Sequence, residues 1–279
     1  MSKITAILLS FILLFTLSSC SQGDKKITLR FKYEPGMHLT YEQISKRHSK
    51  VFESDSVIKD ESTTYTVLIE QEVKRFVDDT TAEVFERDTW RYTKPNEKDS
   101  SQIDSVEYSQ DLMLRVIPNG KVVHFEFVNK KDISRFTYIK NYYEQGLPVF
   151  PSGEKHPGYS WTQTTKVVLP DEIMEASTNY LIKSIVREAG YDCAVIEYDG
   201  TLLIPIEPNP DDSTRRQGID RIHSKGMLYF AYKEGIVIKQ REHWKIDGDR
   251  RKLKDDKIIN YKIATIYDVD YILKKRIMQ

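Results

Sequence analysis

The stretch Leu112-Met113-Leu114-Arg115-Val116-Ile117-Pro118-Asn119-Gly120-Lys121-Val122-Val123-His124-Phe125-Glu126-Phe127 decides the fold class. Two apolar runs flank Pro118-Asn119-Gly120. Asn-Gly between such runs is the strongest short-range hairpin signal, because both residues tolerate the positive φ of a tight turn. Working outward, the same strand period of two recurs. Thr64 to Val77 and Ala82 to Tyr92 read as long strands joined by Asp78-Asp79-Thr80. Val73–Phe76 and Val84-Phe85 break the alternation, which predicts bulges or two-sided burial. Toward the amino end, Ile27 to Tyr33 alternates apolar and polar, Pro35-Gly36 breaks the run, and His38 to Ser45 resumes it, the pattern of another hairpin.

Toward the carboxyl end, Asp132 is a candidate helix N-cap with Ile133, Phe136, Ile139 (or Lys140) and Tyr143 at helical spacing, and Gly146 and Pro148 stop the run. A helix is therefore expected over Asp132 to Gln145, followed by an irregular crossing to Gly158. Tyr159 to Leu169 reads as a strand. Asp171 to Gly190 fits both a helical stripe and a strand face. A strand from about Thr178 to Arg187 is favoured, because Ala189-Gly190 would turn it into Tyr191–Tyr198. Gly226 to Tyr232, Ile236 to Ile246 and Ile258 to Leu273 complete the strands, with Lys233-Glu234-Gly235 and Asp247 to Asp256 as connections. Pro95 to Ser105 and Glu207 to Gln217 read as polar loops. The expected fold is mainly antiparallel β with one or two helices, arranged as an open half-barrel or a β-sandwich-like body.

The amino terminus carries a different signal. Met1-Ser2-Lys3 precedes Ile4 to Leu17, an apolar run of 14 residues, and then Ser18-Ser19-Cys20. A basic start, an apolar core and small residues before a cut are the parts of a secretory signal peptide. The run is shorter than the ~20 residues that cross a bilayer as a helix. The expected organisation is a signal peptide over 1–19, a polar tether over 20–26 and a single β-rich domain over 27–279, in which two tightly packed halves are an alternative.

Lys plus Arg and Asp plus Glu are 42 each. That balance gives no basic excess for nucleic acid and no acidic excess for a polyanion mimic. With Cys20 at the cut, Cys193 has no partner for a disulfide within the chain. It lies in Tyr191-Asp192-Cys193-Ala194-Val195-Ile196 and reads as a buried, inert thiol.

Reaction motifs are missing from the sequence. Six histidines show no metal-ligand spacing, and Asp247-Gly248-Asp249 fails as a calcium loop because Arg250, Arg251 and Lys252 stand where oxygen ligands belong. No serine elbow, phosphate-binding loop or dinucleotide fingerprint is present. No cofactor and no metal is expected, and no catalytic residue stands out. The remaining lead is aromatic: 17 Tyr, 11 Phe and 3 Trp. Aromatics with a polar handle suit ligand surfaces, and Trp90 and Tyr92 on a strand and Tyr142 and Tyr143 on the expected helix are the ligand-binding candidates.

Two resemblances add expectations. Leu17-Ser18-Ser19-Cys20 resembles the lipobox of bacterial lipoproteins, which implies a diacylglycerol thioether on Cys20, cleavage before it and anchoring in a membrane of the cell envelope, most naturally the outer membrane. Leu29-x-Phe31 with Pro35-Gly36, Gly158-Tyr159-Ser160-Trp161, Gly190 to Ile196, and Gly226 to Tyr232 with Gly235-Ile236-Val237 together resemble uncharacterised Bacteroidetes lipoproteins that carry a domain of unknown function. That resemblance implies no catalytic residues. Long strands with a helix also resemble, at fold level alone, the open half-barrels of lipoprotein carriers. The expected role is a membrane-anchored, non-catalytic binding or envelope-maintenance protein, with an apolar or glycan ligand. An envelope or cell-surface hydrolase and a carrier of lipid or lipoprotein are the alternatives.

Overall fold

Alternating burial carries nearly the whole described chain into strands. The computed structural model describes residues 25–95, 103–129, 143, 145–168, 173–206, 216–254 and 257–278. Among them run β1 (Ile27–Thr28), β2 (Met37–Glu53), β3 (Ser56–Phe76), β4 (Ala82–Pro95), β5 (Ile103–Val116), β6 (Val122–Phe127), β7 (Glu154–Lys155), β8 (Ser160–Val168), β9 (Ile173–Glu188), β10 (Tyr191–Ile206), β11 (Gln217–Ala231), β12 (Ile236–Lys254) and β13 (Lys257–Met278). β1 and β7 form a two-stranded pair. The other 11 form one antiparallel sheet in the order β6-β5-β4-β3-β2-β13-β12-β11-β10-β9-β8. The sheet is open, with β6 and β8 at its edges. It is one layer, as a half-barrel requires and a sandwich does not.

The sheet curls over its own inner face. β5 and β10 are seven steps apart in strand order, a separation of about 33 Å if the sheet were flat. Yet Leu112 and Leu114 of β5 share a buried cluster with Cys193 of β10 and Ile236 and Ile238 of β12. Two irregular segments hold this curl. The first runs from Ile27 to Glu34: the amide of Phe31 donates to the carbonyl of Pro118 (2.7 Å), and the amide of Lys32 to that of Gly235 (3.2 Å). It thereby joins the β5–β6 turn to the β11–β12 turn. The second runs from Tyr143 to Phe150. The Gln145 side-chain amide both donates to and accepts from the Leu203 backbone (2.9 Å each), where β10 has run past its last pairing with β9 at Gly200. The Phe150 amide donates to Asn119 (2.7 Å). Phe31, Phe150 and Phe230 meet with centroids 4.7–5.3 Å apart, over a buried cluster that includes Ile182, Ile196 and Leu228. Each buried Phe contributes about 1.5–3 kcal/mol.

Several sequence expectations hold. The Asn119-Gly120 hairpin forms, with Gly120 at φ 93° and Val116 opposite Val122. The turn at Asp78 closes with amides of Thr80 and Thr81 donating to its carboxylate (2.8 and 2.7 Å). The β3 register shifts between Val73 and Arg75. Segment 171–190 is strand from Ile173, because Ala176, Thr178, Tyr180 and Ile182 bury one face.

Others need correction. Ile27–Tyr33 does not pair with β2 as a hairpin. Its alternation serves the inner face instead, where Ile27 and Leu29 are buried. The one or two helices expected are not seen as elements among the described residues. The helix over Asp132–Gln145 falls largely outside the described residues, of which only Tyr143, Gln145 and Gly146 are helical. Asp247–Lys254 is strand rather than connection: Asp249 pairs with Arg221 (2.8 Å) and Arg250 with Asp220, so these charges are spent across strands. Residues 46–63 also lie within the β2–β3 hairpin, whose turn places Ser54 and Asp55 at φ 48° and 64°. Non-glycine residues there are a weak turn signal.

Two measurements test this packing. A Cβ on Gly235 (φ 69°) would lie 2.4 Å from the Lys32 amide and 2.7 Å from the Arg30 carbonyl, whereas one on Gly153 (φ 76°) meets nothing within 4 Å. Gly153→Ala should cost only the left-handed conformation, about 1–2 kcal/mol, and Gly235→Ala clearly more. Equal losses in urea unfolding would show that the crossing segment does not stabilise the sheet. The second concerns Cys193, which is 0% exposed and whose thiol burial pushes up to about 11. It should resist maleimide in the native protein and react after unfolding, and Cys193→Ala should cost on the order of 1 kcal/mol.

Candidate functional site

Along a strand, alternate residues share a face, and the cross-strand register extends that face over the whole sheet. One inner-face row reads Tyr92, Tyr65, Ser45, Val269, Glu242, Gly226 and Tyr198. A neighbouring row reads Tyr108, Trp90, Val67, Gln43, Tyr271, Gln240 and Leu228. The inner face is therefore aromatic and polar as well as apolar.

Its buried polar groups are matched in sets. Tyr198 donates to Glu242, and Gln240 donates to both the Tyr198 hydroxyl (3.0 Å) and Glu242. The set closes across Gly226, where a Cβ would lie 2.6 Å from the Tyr198 hydroxyl oxygen. Glu86 accepts from Tyr143 of the second crossing segment and from Gln71 (2.6 Å). Asp220 and Arg250 form a two-pronged pair, with Asp220 Oδ1 packed where a Cβ on Gly248 would lie. Ser49 and Thr265 bond each other at 2.7 Å. Burial pushes Glu86 and Glu242 above the usual carboxylate range, and the hydrogen bonds from tyrosine and glutamine oppose that shift.

Four half-buried aromatics gather on β3, β4 and β5. Trp90 and Tyr108 lie parallel at 5.9 Å, Tyr65 meets Trp90 edge-on at 6.4 Å, and Tyr92 tilts against Tyr65 at 5.5 Å. Arg47 donates to the Tyr65 hydroxyl (3.2 Å) and pairs with Glu61 (3.0 Å). Asp88 precedes Trp90 by two positions on the same face. Its Oδ1 is sealed from solvent without a hydrogen-bond partner among the described residues. Burial, then the nearby Glu86 and Asp111, push its carboxyl well above the ordinary range.

Of the residues singled out in the sequence, Trp90 and Tyr92 fall in this one group. Tyr143 lies apart from it, holding Glu86. Tyr142 and Cys20 lie outside the described residues. Sequence reasoning missed Tyr65, Tyr108 and Asp88. The parity of β4 contained Asp88, but Tyr65 and Tyr108 emerge only when the two hairpin registers are known.

The outer face differs. Arg87–Asp111 (2.7 Å), Arg91–Glu107 (2.7 Å), Arg241–Asp270 (3.1 Å) and His243–Asp268 (2.8 Å) bridge neighbouring strands there, half-exposed or more on at least one side. Each such pair adds little stability, about 0–1 kcal/mol. Together they form a surface for water, unlike the apolar band of a membrane-spanning barrel. His48 and His243 belong to such pairs, with Asp60 and Asp268, and no group of three metal-ligating side chains occurs among the described residues.

No family model and no curated protein matches this chain. Among solved structures, the crystal structure of an outer membrane channel from Pseudomonas putida F1 aligns over 87% of this chain and 97% of that one, at 8% identity and a TM-score of 0.24. A score that low carries no weight for fold or function.

The buried carboxyls make stability pH-dependent. A carboxyl raised in the folded state favours folding while neutral and loses that contribution as pH rises through its folded pKa. Urea unfolding of the native chain should therefore show falling stability as pH climbs above the ordinary carboxylate range. Glu242→Gln should flatten part of that fall, whereas parallel pH profiles would show that Glu242 is not held neutral.

Proposed function

We propose that the protein is a lipid-anchored lipoprotein of the bacterial cell envelope, held at the outer membrane through Cys20, that binds a ligand without catalysis on the inner face of its open sheet. The observation that carries the binding role is the group Tyr65, Trp90, Tyr92 and Tyr108, drawn from three strands and left half-buried on that face. These four present rings with polar edges, the composition of ligand surfaces. The inner carboxylates speak for binding over hydrolysis: Glu86 and Glu242 are engaged by tyrosine and glutamine rather than paired with each other. The crossing segments, which fill one end of the curl with Phe31 and Phe150, count against carriage of a whole lipid. The resemblance of the chain to uncharacterised Bacteroidetes lipoproteins fits the same proposal.

The anchor and the site are tested separately. Metabolic labelling with a fatty-acid probe should mark the wild-type protein and not Cys20→Ser, which should leave the membrane fraction. Label that persists on Cys20→Ser would remove the anchor. For the site, the full-length chain in a nonionic polyoxyethylene detergent is titrated with neutral glycans, fatty acids and organic amines while tryptophan fluorescence is followed. At least one class should give a saturable change that Trp90→Phe with Tyr108→Ala abolishes. No saturable change with any class would remove the binding role.

A further inference from the structure

We propose that Asp88 and the surrounding aromatic rings form a site for an alkylated ammonium group. This deepens, and rests on, the binding role given above. An organic cation is attracted to the faces of aromatic rings and gains when several faces surround it. The rings offer faces in different directions: Trp90 and Tyr108 are parallel within 1°, Tyr65 stands at 81° to Trp90, and Tyr92 is tilted 60° from Tyr65. Asp88 stands beside Trp90 on the same face of β4, opposite Ile69 on β3 and Gln110 on β5. Its side chain is half-buried, and Oδ1 is sealed from solvent with no hydrogen-bond partner among the described residues.

The charges around it favour a cation over other occupants. Glu86 lies two positions further along β4 and Asp111 beside Gln110 on β5, and both act on Asp88 as negative neighbours. Arg87 and Arg91 alternate to the outer face and pair there with Asp111 and Glu107. Arg47, an inner-face cation at this group, spends Nη1 on Glu61 and the Tyr65 hydroxyl, and its Nε is buried without a partner among the described residues. A fatty-acid carboxylate would meet these acids unfavourably. A neutral glycan would gain nothing from the charge of Asp88. An alkylated ammonium favours the ionised form of Asp88 and carries an apolar surface that suits ring faces.

The test is calorimetric titration of the full-length chain in the same detergent with choline and with its neutral isostere, 3,3-dimethylbutan-1-ol. Choline should bind saturably and the isostere at least tenfold more weakly. Asp88→Asn keeps the shape of the side chain and should weaken choline at least tenfold. If that variant fails to fold by circular dichroism, the wild-type pH profile decides: affinity should rise with pH as Asp88 gives up its proton. Isostere binding as tight as choline, an unaffected folded Asp88→Asn, or a flat pH profile would overturn the assignment. Saturable glycan or fatty-acid binding without choline binding would overturn it too, while leaving the binding role intact. Phosphatidylcholine vesicles identify the source of the group: retention of the Cys20→Ser chain on them supports a lipid headgroup, and binding of free choline alone supports a soluble amine.

Discussion

Everything in this molecule depends on the amino-terminal segment that crosses the inner face. An open sheet of 11 strands has no edge-to-edge closure to set its curvature. Here curvature is set by tying two distant hairpin turns to one strip of chain, through the amides of Phe31 and Lys32. The tie requires close backbone approach, which explains two glycines at once. Gly120 and Gly235 both adopt positive φ, and a Cβ on either would strike this segment, at Phe31 and at Lys32 respectively. The Phe31–Phe150–Phe230 contact then holds the curl by burial rather than by more hydrogen bonds.

Curvature has a consequence for the polar side chains inside. A flat sheet would leave Glu86, Glu242 and Asp220 in water. Once the sheet curls they are desolvated, and an unmatched buried acceptor costs about 1–3 kcal/mol. The structure answers this twice with hydrogen bonds from tyrosine and glutamine and once with an arginine pair. Glycine again makes the geometry possible, since Gly226 and Gly248 clear the space that Tyr198 and Asp220 occupy. Asp88 differs from these three carboxyls: its Oδ1, like Arg47 Nε, is buried without a partner among the described residues.

The strand content was legible in the sequence because one face of each strand is buried, which imposes period two on the residues themselves. The Asn119-Gly120 and Ala189-Gly190 turns were legible because their chemistry is local. What could not be read is long-range. Ile27–Tyr33 alternates just as a sheet strand does, and nothing local distinguishes pairing with β2 from crossing the inner face. Asp247–Arg251 looked like a turn because charge and glycine suggest one. Only the register with β11 and β13 shows Asp249 and Arg250 answering Arg221 and Asp220. The site was half legible for the same reason: Trp90 and Tyr92 share one strand, while Tyr65 and Tyr108 arrive from its two neighbours.

The two faces together constrain how the protein can meet a membrane. Ion pairs along the outside would each be costly in lipid, about 2–4 kcal/mol for a basic side chain at the bilayer midplane, which favours a sheet held outside the hydrocarbon. An acylated Cys20 would hold it there on a tether of six residues, about 20 Å when extended. That tether ends at Lys26, and the next residue, Ile27, begins the segment that ties the curl. The proposed anchor and the clamp would thus be one continuous piece of chain. Any pull on a lipid there would be delivered first to the β1–β7 pair and then to Phe31, whose ring is held between Tyr33, Phe150 and Phe230. Under the proposed anchor, the strip of chain that curls the sheet would also keep its inner face in shape close to the membrane surface, where a ligand of the envelope would have to be met.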